Sequence, residues 1–452
     1  MITSFDPLTQ TIRDIKLSTR CGSVTRVTSG FLEVSGLSHH ARIGDLVSID
    51  TDTDALLEGE VIALTEDRAV VMTYGADQAP AIGDTVMLDG AARLFPSVTW
   101  MGRVVDAFGA PLDGRPILPG RHAATLRAQP PDAAKRRVLG GRLATGLAAT
   151  DTVLPLAQGQ RIGIFAGSGV GKTSLLAKLA KGISADCVVI GLIGERGREL
   201  REFVENVMGP DGMARTVVVA ATSDQSPLIK RRAAWTATAI AEVLRDEGRN
   251  VLLIVDSLTR FAEAHREVAL TAGETPSLRA YPPSTANVIA ALTERAGTGI
   301  GRAGDITAVY SVLVAGSDME EPVADIARGV LDGHVILDRE IAERGRFPAV
   351  DVRRSVSRSL PAIASDAENA LIERARAIIS TYENAAALIQ TGLYNAGSDP
   401  LIDEAIRLWP HLDQFLTLSG MENEAQSFAQ LAAILDPQAA QSLQQTAVAA
   451  SE

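Results

Sequence analysis

The sequence has little of what an oxidised, nucleic-acid-binding or membrane-spanning protein needs. Its 452 residues include two cysteines, Cys21 and Cys187. Two cannot make a disulfide framework, and Cys187 opens the apolar run Cys187-Val-Val-Ile190, which reads as a buried strand. A reducing compartment is the expectation. Aromatic residues make up 4% of the chain, which disfavours a base-stacking platform for single-stranded nucleic acid. Positive charge is in deficit: 43 Lys and Arg against 55 Asp and Glu leave a formal charge of −12. A partner held through its phosphates would need a local basic patch working against that field, so no nucleic-acid partner is expected. No run of ~20 apolar residues is present to cross a bilayer as a helix. The start, Met1-Ile-Thr-Ser-Phe-Asp-Pro-Leu8, has neither the basic nor the apolar region of a secretory signal. Any membrane contact is expected to be peripheral.

What is present is the balance of a globular protein, with 46% apolar and 22% charged residues, in a chain long enough for about two to four domains. At the N-terminus Asp6 is a candidate cap, Pro7 sits at the first helical position, and Phe5, Leu8, Ile12 and Ile15 fall at helical spacing. Residues 1–20 are read as an amphipathic docking segment, with a frayed terminus as the alternative. From 21 to 95 the pattern becomes short β-branched runs between glycines: Val24–Val27, Phe31–Val34, Val61–Leu64, Ala69–Met72 and Thr85–Leu88. That predicts a small β-barrel, since closure removes exposed edges. From 96 to 360 apolar runs at Ile162–Phe165, Val188–Ile193, Val217–Ala220, Leu252–Val255 and Thr307–Val314 alternate with helical stretches such as Leu175–Ala180 and Ala233–Arg245. This predicts an α/β domain with a mainly parallel sheet. From 361 to 452 strand signals vanish. Helices are expected at Asp366–Gln390, at Leu401–Leu416 with a kink or break at Pro410, and at Glu422–Leu435, before a mobile Gln/Ala/Ser-rich tail from Asp436.

The strongest chemical signal is Ala166-Gly167-Ser168-Gly169-Val170-Gly171-Lys172-Thr173 followed by Ser174, because it stands between a strand and a helix. The glycines let backbone N–H groups turn toward phosphate oxygens, and the helix N-terminus adds a favourable dipole. Lys172 is placed to reach the β and γ phosphates. Thr173 is placed to put its hydroxyl on Mg²⁺, a hard cation that prefers oxygen ligands. The first position is Ala166 where the general pattern has Gly, which is tolerable if that residue keeps an ordinary negative φ.

Two further segments complete a hydrolytic reading. Val251-Leu-Leu-Ile-Val-Asp256 is a buried strand ending in a carboxylate, the form expected of the residue that orients Mg²⁺ or its water. After the run Val188–Ile193 comes Gly194-Glu-Arg-Gly-Arg-Glu199. Strand C-terminal ends form the ligand crevice of an open parallel sheet. Glu195 is therefore placed to polarise and align the attacking water, and Arg196 to neutralise charge on the phosphoryl oxygens.

Together these residues resemble the rotary-type family of hexameric ATPases, which includes the F-type synthase α and β subunits and the export ATPases of flagella and type III secretion systems. The resemblance also rests on Gly102-Arg-Val-Val-Asp106 with Gly109-Ala-Pro-Leu-Asp-Gly114, Asp256-Ser-Leu-Thr-Arg-Phe261, Tyr281-Pro-Pro-Ser284, Asp332-Gly-His334 and Ala396-Gly-Ser-Asp-Pro400. It covers nearly the whole chain and is greatest toward the flagellar export branch. It implies a RecA-like P-loop NTPase core between an N-terminal β-barrel and an all-α C-terminal domain. It puts Glu195 at the catalytic glutamate, Arg196 at the neighbouring phosphate-contacting arginine, and Phe347 where an aromatic ring stacks on adenine. Ser355-Val-Ser-Arg358 resembles the segment whose arginine reaches the γ-phosphate held by the next subunit, with Arg353 and Arg354 as nearby rivals for Arg358.

With Glu195 and Arg358 in one chain, the resemblance implies a homohexamer active at every interface. It also implies ATP and Mg²⁺, and a cytoplasmic place at the inner face of the membrane. The partners it implies are a stator-like regulator, a central stalk, an export gate, and export substrates with their chaperones. Rival readings are an injectisome ATPase, a synthase catalytic subunit, an RNA-dependent helicase, and a non-catalytic nucleotide-binding subunit. The helical domain lacks the acidic loop of the synthase kind, the charge and aromatic content weigh against the helicase, and Glu195 weighs against a non-catalytic role.

Overall fold

The structure, a computed structural model, describes residues 19–51, 56–75, 80–314, 319–421 and 423–436. The expected docking segment up to residue 18 and the tail after Asp436 lie outside the described residues. Two compact units result. One holds the chain up to Arg93 with Gln225–Ile229 and Ala264–Pro283; the other holds Leu94–Asp224, Lys230–Glu263 and the chain from Ser284 on.

In the first unit six strands close on themselves: β1 (Cys21–Val27), β2 (Leu32–Ser35), β3 (Asp45–Asp50), β4 (Leu57–Leu64), β5 (Arg68–Thr73) and β6 (Thr85–Ala91). They close in the order β1-β2-β5-β4-β3-β6, every neighbour antiparallel. The period-2 pleat sends Leu32 and Val34 of β2 and Val47 and Ile49 of β3 into one core with Val61, Val71 and Val86. β3 is the strand that no apolar run announced. Asp45, Ser48 and Asp50 leave it Val47 and Ile49 as inward residues, and its neighbours on either side supply the rest.

The second unit is built on an eight-stranded sheet: β7 (Val104–Val105), β8 (Arg161–Ala166), β9 (Cys187–Glu195), β10 (Thr216–Thr222), β11 (Val251–Asp256), β12 (Ile306–Leu313), β13 (Gly333–Leu337) and β14 (Val350–Ser357). Their order is β14-β13-β8-β12-β11-β9-β10-β7. All neighbours are parallel except β14, which runs antiparallel to β13. Every residue of β11 is buried, as in a sheet covered on both faces, which explains why these strands read as unbroken apolar runs. The five runs expected from the sequence all fall in this sheet. The two strands at its β13–β14 edge are additional, because His334, Asp351, Arg353 and Arg354 break up their apolar pattern.

The helices that matter for the site are α1 (Lys172–Gly182), α2 (Gly197–Glu202), α3 (Pro322–Val330), α4 (Asp366–Gln390), α5 (Pro400–Phe415) and α6 (Glu424–Leu435). A capping box at Ser365 and Glu368 starts α4, and the Asp399 side chain accepts the N–H groups of Leu401 and Ile402 at the start of α5. The expected kink or break at Pro410 leaves α5 as one continuous helix. Proline removes one backbone bond there, but Leu408, Trp409, Leu412 and Phe415 bury the adjoining face, and Trp409 stacks on Tyr382 of α4 at 4.5 Å. The three C-terminal helices have no core of their own. Leu371, Ile378, Leu408, Leu412, Phe428 and Leu431 share one buried cluster with Ile162, Leu175 and Ile254 of the sheet unit. No helix among the described residues is long and apolar enough to cross a membrane.

Candidate active site

β8 lies inside the sheet, paired with β12 and β13, and its C-terminal end opens into the glycine loop. Ala166 is buried and is the last residue of the strand, so its methyl sits in the core. Val170 is buried too and pins the loop from below, whereas Ser168 and Gly169 are exposed. Gly171 caps α1 with φ 86°, a left-handed conformation that a side chain resists. A Cβ there would also lie 3.1 Å from Cδ1 of Phe347. The bare backbone of Gly171 therefore lets the Phe347 ring rest against the loop. Phe347 is still 47% exposed, leaving the ring surface open for a planar ligand. Gly167 follows Ala166, and Thr173 and Ser174 lie exposed in the first turn of α1.

The Lys172 ammonium is held between two carboxylates. It donates to Oδ1 of Asp256 and lies 3.8 Å from Oε1 of Glu195. Asp256 ends β11 and is 3% exposed; its Oδ1 also accepts the Ser311 hydroxyl at 2.6 Å. Such a buried carboxylate needs both donors, because unpaired charge in the interior is costly. Glu195 ends β9, where the pairing with β10 slips between Ile193 and Glu195 at Gly194, φ 73°. The bulge re-aims the glutamate, as bulges near sites do, and its left-handed φ favours glycine, where a Cβ would also crowd the Arg260 side chain at 3.2 Å.

Burial, and then the nearby Asp256 carboxylate, push Glu195 up to about 7, while Lys172 pulls the other way. A hydrogen bond with Glu199 raises Glu195 further and lowers Glu199, whose largest influence is the hydrogen bond from Arg196. A carboxylate near neutrality can both take and return a proton at ordinary pH. Arg196 itself is 78% exposed in its side chain and donates to Glu199 at 2.8 Å. It meets Glu195 only through Glu199. Ser311 and Glu199 were not singled out from the sequence. Ser311 shares its strand with the hydroxyls of Thr307 and Tyr310, so nothing local singles it out, and Glu199 offers no more than a carboxylate one helical turn past Glu195.

β14 separates the two remaining candidates. Phe347 precedes it at the end of the strands where the glycine loop lies. Arg358 follows it at the opposite end of the strands: its N–H donates to Asp332, and the Asp332 N–H donates to Arg161, the first residue of β8. The glycine loop begins after Ala166, five residues further on, which is about 17 Å at ~3.3 Å per residue. Arg358 therefore faces away from the phosphate loop of its own chain. Its Nη2 donates to the Arg328 carbonyl near the end of α3 at 3.1 Å, and it has no carboxylate partner among the described residues. Its rivals are engaged. Arg353 bonds Asn384 at 3.0 Å with Glu383 at 3.4 Å, and Arg354 lies 3.7 Å from Asp338.

Residues 146–357 match the nucleotide-binding domain of the ATP synthase alpha/beta family, and residues 364–435 match the C-terminal domain of the type III secretion ATPase EscN. The flagellum-specific ATP synthase of Caulobacter vibrioides is 43% identical over 423 residues, 92% of this chain and 95% of that protein. The chain belongs to the flagellar and type III secretion ATPase family. Within that family the assembled EscN of enteropathogenic E. coli superposes with a TM-score of 0.85 at 35% identity, over 92% of this chain and 100% of that one. EscN in complex with its central stalk EscO gives 0.83 at 35% identity over the same shares. The family membership makes the chain a nucleotide-binding ATPase. It also accounts for the barrel, the parallel sheet around a phosphate loop and the terminal helices in one chain.

Proposed function

We propose that the chain hydrolyses ATP to ADP and phosphate at sites completed between the copies of a homohexamer, and that this activity serves protein export through a flagellar type III apparatus. The observation that carries the reaction is Lys172 held beside both Asp256 and Glu195, at the end of the sheet where the glycine loop can bind phosphates. Lys172 moves its charge to the β and γ phosphates when they bind. Glu195 holds the attacking water in line and takes up its proton. Phe347 stacks on the adenine, and Arg196 reaches the phosphoryl oxygens by exchanging Glu199 for them.

The Thr173 hydroxyl and the Asp256 carboxylate are hard oxygen donors of the kind Mg²⁺ takes. Among the described residues no three His, Cys, Asp or Glu gather to hold a metal by themselves, so the donor set fits an ion whose remaining ligands are water and substrate oxygens. Bound there, Mg²⁺ would neutralise charge on the β and γ phosphates.

The hexamer is supported by Arg358, which faces away from its own phosphate loop and carries no carboxylate partner among the described residues, and by the likeness to an assembled EscN. In this assembly Arg358 reaches the γ-phosphate bound by the adjoining copy. The partners we assign are a central stalk like that seen with EscN, a stator-like regulator at residues 1–20, an export gate, and substrates with their chaperones at the helical segment. The place of action is the cytoplasm, at the inner face of the membrane. The flagellar branch is favoured over the injectisome by a small margin, 43 to 45% identity to flagellum-specific relatives against 40% to the type 3 secretion ATPase of Xanthomonas euvesicatoria. The test is phosphate release with ATP and Mg²⁺ across a protein-concentration series, read beside the mass of the assembly. Specific activity should rise as hexamers form; full activity in a monomer would overturn the shared site.

A further inference from the structure

Arg346 is buried to 6% exposure beside the half-exposed Phe347. An arginine does not sit in an interior without partners, and its partners here come from two directions. Nη2 donates to the Val350 carbonyl at 2.6 Å, closing the turn that carries Phe347, and Nη1 donates to Oδ1 of Asp413 on α5 at 3.2 Å. The main-chain N–H of Arg346 bonds Ile341 at 3.3 Å. One side chain thus ties the segment 346–350 to α5.

Asp413 is itself held in place. It lies one turn beyond Trp409, on the same face of α5, and Trp409 stacks against Tyr382 of α4. α4 in turn receives β14, through Arg353 with Glu383 and Asn384, and through Arg376, which donates to the Ser355 carbonyl at 2.8 Å. The ring of Phe347 has little slack against the loop, given the 3.1 Å that a Cβ on Gly171 would leave. A small shift of the turn would therefore move the ring off the place where a base can stack between it and solvent.

We infer that Arg346 is a positioning residue for nucleotide binding, fixing Phe347 against the glycine loop by clamping its turn to Asp413 of α5. The inference rests on Phe347 as the adenine-stacking ring. It makes the helical segment a determinant of nucleotide affinity without any contact between that segment and nucleotide.

The test measures binding of a non-hydrolysable ATP analogue with Mg²⁺ to the full chain by calorimetry, with KM and kcat alongside, for Asp413→Asn, Arg346→Met, Phe347→Ala and the doubles with Phe347→Ala. Asp413→Asn keeps the helix and changes only the charge, so it serves if Arg346→Met fails to fold. Expected are a rise in Kd and KM of about five- to tenfold for Asp413→Asn with kcat little changed, and no further weakening when it is added to Phe347→Ala, because coupled residues are not additive. Full additivity in the double would show a general structural effect and overturn the inference. Normal affinity in Asp413→Asn and Arg346→Met, with Phe347→Ala impaired, would overturn it and leave the stacking role standing. Normal affinity in Phe347→Ala would remove the stacking role and the inference with it.

Discussion

The ammonium of Lys172 bonds Asp256 and stands 3.8 Å from Glu195, so the residue proposed to read the phosphates also joins the two carboxylates of the site. Lys172→Ala takes away the cation for the phosphates and leaves Asp256 buried with the Ser311 hydroxyl as its remaining named donor. ATP affinity should fall at least about a hundredfold, roughly 3 kcal/mol. Titration calorimetry decides, and unchanged affinity would defeat the loop assignment.

The rate should depend on pH through Glu195. Its carboxyl is raised to about 7 by burial and by Asp256, so below that value it is protonated and unable to accept a proton from water. Activity, as kcat/KM, should therefore climb as pH rises through about 7. Glu195→Gln should bind ATP, turn over slower by about 10² to 10⁴, and lose this limb of the profile. A wild-type profile that falls across the same interval would contradict the role.

Arg358→Ala should bind nucleotide normally yet lose about 10³ or more in rate. Mixed with Lys172→Ala subunits it should regain activity, because some interfaces then pair an intact loop with an intact Arg358. Failure of the mixture, or activity of either variant alone near that of the wild type, would refute action across an interface.

Gly171→Ala imposes two penalties at one place. The residue has φ 86°, and its new methyl would press on the Phe347 ring at 3.1 Å. The backbone cost alone is about 1 kcal/mol, so nucleotide affinity should drop by about fivefold or more. The double variant Gly171→Ala with Phe347→Ala should show less added loss than the two singles predict, which a binding series can measure.

Much of this site was legible because its signals are local. A glycine loop between a strand and a helix, and a carboxylate ending a buried strand, can be read from neighbouring residues, and β8, α1 and β11 fall where those signals put them. What was not legible depends on residues distant in sequence. Ser311 bonds Asp256 across 55 positions, and nothing local marks it. Glu199 gains its meaning from the bulge at Gly194, which periodicity does not announce. Phe347 was placed by resemblance, and the reason it fits, the missing side chain of Gly171, is a contact between segments 176 residues apart in number. The barrel shows the same limit in β3, whose inward Val47 and Ile49 make a strand only because the five other strands already form the wall. The helical segment was correctly read as helical, but its dependence on the sheet for a core is a tertiary fact.

β14 is the one strand of the sheet that runs against the rest, and it ends at two different kinds of place: Phe347 before it looks to the subunit's own loop, Arg358 after it looks away. A ring made of such subunits would have a sense of direction. Each copy would feel its own nucleotide at one end of the strand and act on a single neighbour at the other. News of binding would travel round the ring one way, and reversing the order of firing would require the signal to pass backward through a strand that touches only one adjoining site.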